Sequence, residues 1–360
     1  MPSEAHLDHA VREGIISEDQ RERILALART DLGGQAAYAS PDEPFRLFRG
    51  FRDFFLAIGI LILALGLGST MLSVLPWDSV EMNSGRSLLG AAAFAILAGV
   101  GWGFGELVTR KLRMPLASII VVLSFCGSVA ISAAFLGAAF LGGSGDIAKS
   151  VIPVIAAAAS ILAAVAFYLR FRLPFVLLPL GGSAVATALT LAHVFDPEIA
   201  PTHLAIVAGI CGLFVFAAAM RYDLSDPNRL TRHSECAFWL HLLAAPLIVH
   251  SIFSFLSADL YAGAPYAAVI VIAIIAVLAF IALLIDRRAM LVSGLTYLGW
   301  AIGVSLSVLL GSASGPMTFL VLGLLLVGLA IGWSSVRRVI LNALPRNELI
   351  ARLPPATHES

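Results

Sequence analysis

Charge is what this chain has least of. Only 13% of its 360 residues are Asp, Glu, Lys or Arg, whereas 59% are hydrophobic; soluble domains average about 25% and about 45–50%. A chain so short of polar side chains cannot cover a water-facing surface, which excludes a soluble enzyme, a nucleic-acid-binding module and a disordered scaffold. Lysine is represented by Lys111 and Lys149 alone, and 23 basic residues are balanced by 23 acidic ones. There is therefore no polybasic arm for nucleic acid or anionic lipid. Cysteine is scarce as well: Cys126, Cys211 and Cys236 lie in or beside apolar runs without a Cys-x-x-Cys pair, so they read as small apolar side chains rather than a disulfide framework. No metal-ligand spacing, haem pair or phosphate-binding glycine loop is found. No cofactor, metal or enzymatic activity is expected.

What is abundant is apolar runs long enough to cross a hydrocarbon core of about 30 Å, which takes roughly 20 helical residues at about 1.5 Å each. Ten such runs are bounded by charges or turn residues: Phe54 to Leu75, Ser87 to Thr109, Pro115 to Leu136, Ala148 to Leu169, Pro174 to Phe195, His203 to Met220, Glu235 to Leu256, Ala264 to Ile285, Ala289 to Gly311 and Met317 to Ser334. The expected fold is all-α, a polytopic transmembrane bundle of about ten spans over residues 46–336. Basic residues provide an independent check, because Lys and Arg concentrate in short cytoplasmic connections. Seventeen of them, including Arg110, Arg170, Arg229, Arg287 and Arg337, fall in one alternating set of flanks and loops, and only Arg86 and Lys149 fall in the other. The alternation predicts both termini in the cytoplasm, in a bacterial inner membrane. The charged first fifty residues lack the order of a cleaved signal peptide, so the first run is expected to stay as a signal anchor.

Residues 1–45 are read as a cytoplasmic helical segment and linker. Ser17-Glu18-Asp19-Gln20 has the spacing of a capping box opening a helix through about Arg29, and Gly14 marks a turn after a shorter helix carrying Leu7, Ala10 and Val11. So small a pair needs something to pack on. Residues 337–360 are read as a cytoplasmic tail with a short interfacial helix interrupted by Pro345. This order, with Glu13-Gly14-Ile15-Ile16-Ser17, then Phe238-Trp239-Leu240-His241-Leu242-Leu243-Ala244-Ala245-Pro246 and Asp286-Arg287-Arg288-Ala289 inside a ten-span body, resembles a bacterial family of multipass integral membrane proteins of unknown function with a short N-terminal cytoplasmic helical segment. That resemblance implies an architecture but no activity. Arg113-Met114-Pro115 and Arg172-Leu173-Pro174 each put Arg-x-Pro ahead of a span, yet the residues that follow do not align as a repeat.

Polar groups inside a bilayer are costly and mark functional candidates. The possible cavity-lining residues are His241, Pro246 and His250 in the seventh run, Tyr297 and Trp300 in the ninth, Trp102 and Glu106 in the second, and Ser183 in the fifth. Each has a plainer alternative: Glu106 is placed to pair with Arg110, Tyr297 and Trp300 are large enough to be core, and two histidines nine residues apart point about 180° away from each other on a straight helix. His193, His203 and His250 approach Asp196, Glu198 and Asp259 at the outer ends, without the spacing of a metal site. Gly142-Gly143-Ser144-Gly145 superficially matches an intramembrane-protease serine but falls in a loop. Asp226 and Asp286 read as helix N-caps. The pairs Gly99 and Gly103, Gly101 and Gly105, Gly299 and Gly303, and Gly328 and Gly332 have small-residue spacing that permits close helix approach.

Two functions follow from different classes. A secondary transporter or permease for a small solute needs a cavity bordered by interrupted helices, for which Pro153, Pro179-Leu180-Gly181-Gly182 and Pro246 are the candidates. The alternative is a non-catalytic membrane scaffold or sensor whose N-terminal segment binds a cytoplasmic protein partner or supports a homo-oligomer. The lipid bilayer is the partner common to both.

Overall fold

The computed structural model describes residues 7, 11–14, 16–23, 51–74, 84–142, 145–226, 231–261, 265–286 and 289–344. The chain divides into two units, residues Met1–Phe45 with Thr357–Ser360 and residues Arg46–Ala356. In the first, the capping box forms as its spacing predicts. Ser17 N–H donates to Gln20 Oε1 at 2.9 Å and Gln20 N–H to Ser17 Oγ at 3.2 Å, so two otherwise orphaned amides satisfy each other's residue. Gly14 makes the preceding turn with φ +70, donating its amide to Val11 O. The rest of the expected second helix, beyond Arg23, lies outside the described residues.

The described residues of the second unit are almost all helical, and no strand occurs among the described residues. Its long helices are α1 Phe51–Val74, α2 Ser84–Phe104, α3 Pro115–Leu141, α4 Asp146–Phe171, α5 Leu177–Phe195, α6 Pro201–Ser225, α7 Arg232–Tyr261, α8 Pro265–Ile285, α9 Ala289–Leu310 and α10 Ser314–Ala343. Eight of them meet the length and hydropathy needed to cross a membrane, and α8 and α9 contribute shorter apolar stretches, Val269–Ile285 and Tyr297–Ser307. Large apolar side chains such as Phe55, Ile62, Leu65, Phe140, Phe319 and Ile331 are exposed around the bundle. In water such a surface would aggregate; against lipid it is the required solvent-facing chemistry. The chain is a multipass helical membrane protein.

Neighbours in sequence are neighbours in space for most of the bundle, as short connections require. The closest partnerships are α6 with α7, α2 with α3, α3 with α4 and α4 with α5, while α1 leans on α3 and α9 bridges α7, α8 and α10. Two corners share one construction. Arg113 and Arg172 adopt left-handed backbone with φ 52 and 54, the next residue is extended, and proline opens the following helical segment. Proline excludes helical geometry from the residue before it and costs nothing where no amide bond is due, so Arg-x-Pro stops one helix and starts another within three residues.

Several expected elements are built differently. The second span does not stop at Thr109 but continues as a π-helical segment, Gly105–Leu112. The last helix runs on through Ala343, because nothing in residues 335–343 breaks it, and the chain becomes extended at Leu344 ahead of Pro345. Pro179 does not interrupt α5; it falls in the first turn, following a 3-10 turn at Pro174–Val176, where a missing donor is harmless. Among the described residues, Pro153 in α4 and Pro246 in α7 stand in the interior of a helix, beyond its first turn.

Candidate functional site

Where α4, α5, α6 and α7 meet at the end opposite the Arg-x-Pro corners, they enclose an open cavity of about 420 Å³. Its wall carries Ser150 and Pro153 of α4, Thr190 and His193 of α5, Ala205 of α6 and His250 of α7. At 1.5 Å per residue, Pro153 and Ala208 lie about 10 Å along their helices from that end, so the cavity is a vestibule rather than a midplane chamber. Its polar atoms are two imidazoles and two hydroxyls; no Asp, Glu, Lys or Arg lines it. Thr190 Oγ1 is already donated to Ala186 O. His250 is oriented from behind, with its Nδ1 2.8 Å from Tyr297 Oη on α9. The phenol also stacks at 4.4 Å on Phe253, which in turn meets Trp300 at 5.0 Å. Three residues singled out by sequence, His250, Tyr297 and Trp300, thus belong to one α7–α9 contact, with only His250 reaching the cavity.

The others lie elsewhere. His241 is fully buried, and its Nε2 is 2.7 Å from Asp223 Oδ2 near the opposite end of α6. Pro246 is exposed and not part of the cavity wall. Ser183 donates to Ser160 at 2.8 Å, tying α5 to α4. Trp102 joins Phe125, Phe167 and Phe171 in an aromatic cluster shared by α2, α3 and α4, with centroids 5.4 to 6.2 Å from the indole. Glu106 sits over that cluster, receiving Arg170 Nε at 2.7 Å as well as the expected Arg110 at 3.4 Å. The pairing across α2 and α4 is the shorter one, and no spacing rule within a single helix reveals it.

Three carboxylates, Asp53 and Asp226 buried and Asp286 half-buried, do work that local sequence reading assigned otherwise or missed. Asp53, 1% exposed, accepts the amides of Leu116 and Ala117 at 3.3 and 3.1 Å. It caps α3 from sixty residues away, where the helix's own cap position holds Met114. Asp286 has φ +56 and takes Trp333 Nε1–H at 2.7 Å from α10, with Arg337 Nε at 3.8 Å; it clamps α8 to α10 rather than merely opening α9. Asp226 accepts Thr231 N–H and Oγ1–H at 2.8 and 2.7 Å just ahead of α7. Helix α7 begins at Arg232, and Pro227 lies outside the described residues.

A second hollow of about 250 Å³ opens between α1, α2 and α3, lined by aliphatic side chains and Phe94 and Phe104 with only Ser124 and Ser128 as hydroxyls. It offers packing space but little recognition. Among the described residues no group of three or more His, Cys, Asp or Glu is arranged to hold a metal. No family model, curated protein or solved structure matches the chain.

Proposed function

We propose that this protein is a ten-span permease of a bacterial inner membrane, with both termini in the cytoplasm, that takes up a small uncharged polar solute through the α4–α7 cavity. The observation that carries this reading is the cavity itself. Its volume of about 420 Å³ falls in the range of small-molecule sites, about 300–1,000 Å³, and it joins two hydrogen-bonding imidazoles to apolar walls. Its wall also includes Pro153, a proline inside α4 that removes one backbone donor, the kind of weak point at which transporter helices change access. Orientation rests on the seventeen basic residues at the Arg-x-Pro end and its equivalents, which put the cavity mouth on the outer side. Absence of acid or base from the lining favours a solute without full charge.

The test needs no knowledge of the solute. In a chain with Cys126, Cys211 and Cys236 replaced, Ser150→Cys and Thr190→Cys are labelled with an impermeant maleimide in right-side-out and inverted vesicles. A permease that alternates gives fast labelling from outside and slower, measurable labelling from inside. Strictly one-sided labelling under all conditions favours the scaffold.

A further inference from the structure

The cavity leaves unexplained the most deeply buried imidazole among the described residues. His241 has no exposed surface; its Nε2 is 2.7 Å from Asp223 Oδ2 and its ring meets Phe216 edge-on at 5.4 Å. Its Nδ1 is buried with no hydrogen-bond partner, a condition shared among the described residues only by Ser87 Oγ. The two cases differ: a hydroxyl hydrogen rotates to suit its surroundings, whereas an imidazole nitrogen waits for a partner to be brought to it. Taking the Asp223 carboxylate as acceptor assigns the hydrogen to Nε2 and leaves the unused lone pair on Nδ1. Native interiors rarely retain such an atom without a reason.

We infer that His241 is a proton-binding site whose occupancy governs access to the α4–α7 cavity, an inference about coupling that rests on the permease reading. The reaction is acid–base only. The Nδ1 lone pair takes a proton whose source is water admitted when α6 and α7 part, the ring becomes imidazolium, and Nε2–H stays on Asp223, whose side chain is 10% exposed two residues before the end of α6. The new Nδ1–H donor then lies in an apolar interior with nothing to accept it, so the protonated state favours a different packing of α6 and α7. Those helices also wall the cavity, through Ala205 and His250, and they touch almost backbone to backbone: a Cβ on Gly212 would lie 3.2 Å from Ile248 N. A shift at His241 is thereby carried to His250. Other titratable groups on the elements around the ring are Tyr222 of α6, Glu235 and Cys236 of α7, Tyr168 of α4, and Asp286 and Arg337 beyond the Phe216–Trp333 cluster; Asp223 is the one bonded to it.

The full chain, labelled with ¹⁵N-histidine and placed in lipid nanodiscs, tests the site directly, with His241→Gln assigning the resonance and size-exclusion profiles confirming that each variant folds. The expected result is an Nε2–H tautomer at high pH, a protonation step at Nδ1 as pH falls, and a shift of that step to lower pH in Asp223→Asn, where the imidazolium loses its counter-charge. A His241 signal that does not change until the protein unfolds, or a proton on Nδ1 at every pH, overturns the site. Maleimide labelling of Ser150→Cys from the outside is then followed across the same pH interval. A rate that tracks the His241 titration and becomes flat in His241→Gln supports the coupling; a rate indifferent to pH in the parent overturns it. One-sided labelling with a normal His241 titration would instead strike the permease reading and leave the proton site standing.

Discussion

Asp53 shows how much a single buried side chain contributes when the local sequence cannot do the job. Helix α3 opens with Met114-Pro115, which supplies no capping oxygen, and the amides of Leu116 and Ala117 would be orphaned in an apolar setting. Asp53 supplies both bonds and so fixes α1 to α3 at the same time. Asp53→Ala is therefore expected to destabilise the bundle by about 1–2 kcal/mol, measured by unfolding in mixed micelles, while Asp53→Asn, which keeps one acceptor oxygen, loses less. Equal stability of the alanine variant and the parent would show that the cap carries nothing. No reading of the sequence near α3 could find this residue, because the signal for a cap is sought within one turn of the helix and Asp53 comes from sixty residues upstream. His241 was visible as a polar residue in an apolar run, but its partner was not. Asp223 sits at the end of α6, where any carboxylate reads as interfacial, and eighteen residues separate the two.

At the scale of the helix, sequence was most informative where covalent geometry dictates the outcome. The two Arg-x-Pro runs among the described residues each stop a helix with the same left-handed arginine; the Ser-x-x-Gln box closes for equally local reasons. Small-residue spacing was less decisive, since it says that a face can approach a neighbour but not which face does. A Cβ on Gly101 would lie 3.3 Å from Phe125 and one on Gly105 3.1 Å from Phe167, whereas Gly99 and Gly103, in register with them, meet nothing within 4 Å. Gly299 packs against Leu322, but Gly328 faces open space. The tightest approach between helices, Gly209 and Gly212 of α6 against Ser251 and Ile248 of α7, has a three-residue spacing that no Gly-x-x-x-Gly search detects. Gly212→Leu is expected to force α6 from α7 at a cost of about 1–3 kcal/mol, with loss of monodisperse protein in detergent, while Gly328→Leu on the outer face of α10 should behave as the parent. If both variants behave alike, the α6–α7 contact is not the close-packed seam described.

For the whole molecule, the proposed arrangement depends on which end of the bundle faces the cytoplasm, and that proposal rests on charge. Every connection assigned to one end carries arginine, and moving such residues across a bilayer opposes the potential and the insertion machinery alike. The proposed orientation has Arg110, Arg170, Arg229 and Arg287 inside and Lys149, Asp196 and Asp259 outside. Eight helices satisfy the length requirement by themselves, and the assignment of ten depends on α8 and α9 each crossing once. The discriminating positions are accordingly Asp259 and Arg287, on either side of α8. Cysteines placed one at a time at these seven positions should react with an impermeant thiol reagent in intact cells at the three outer sites and only after lysis at the four inner ones. If Asp259 and Arg287 label from the same side, α8 does not cross, and the count of ten fails. In that case the chain beyond α8 would be inverted, Arg337 and Arg338 would face outward against the charge rule, and the cytoplasmic C-terminus would have to be abandoned while the α4–α7 vestibule kept its outward mouth.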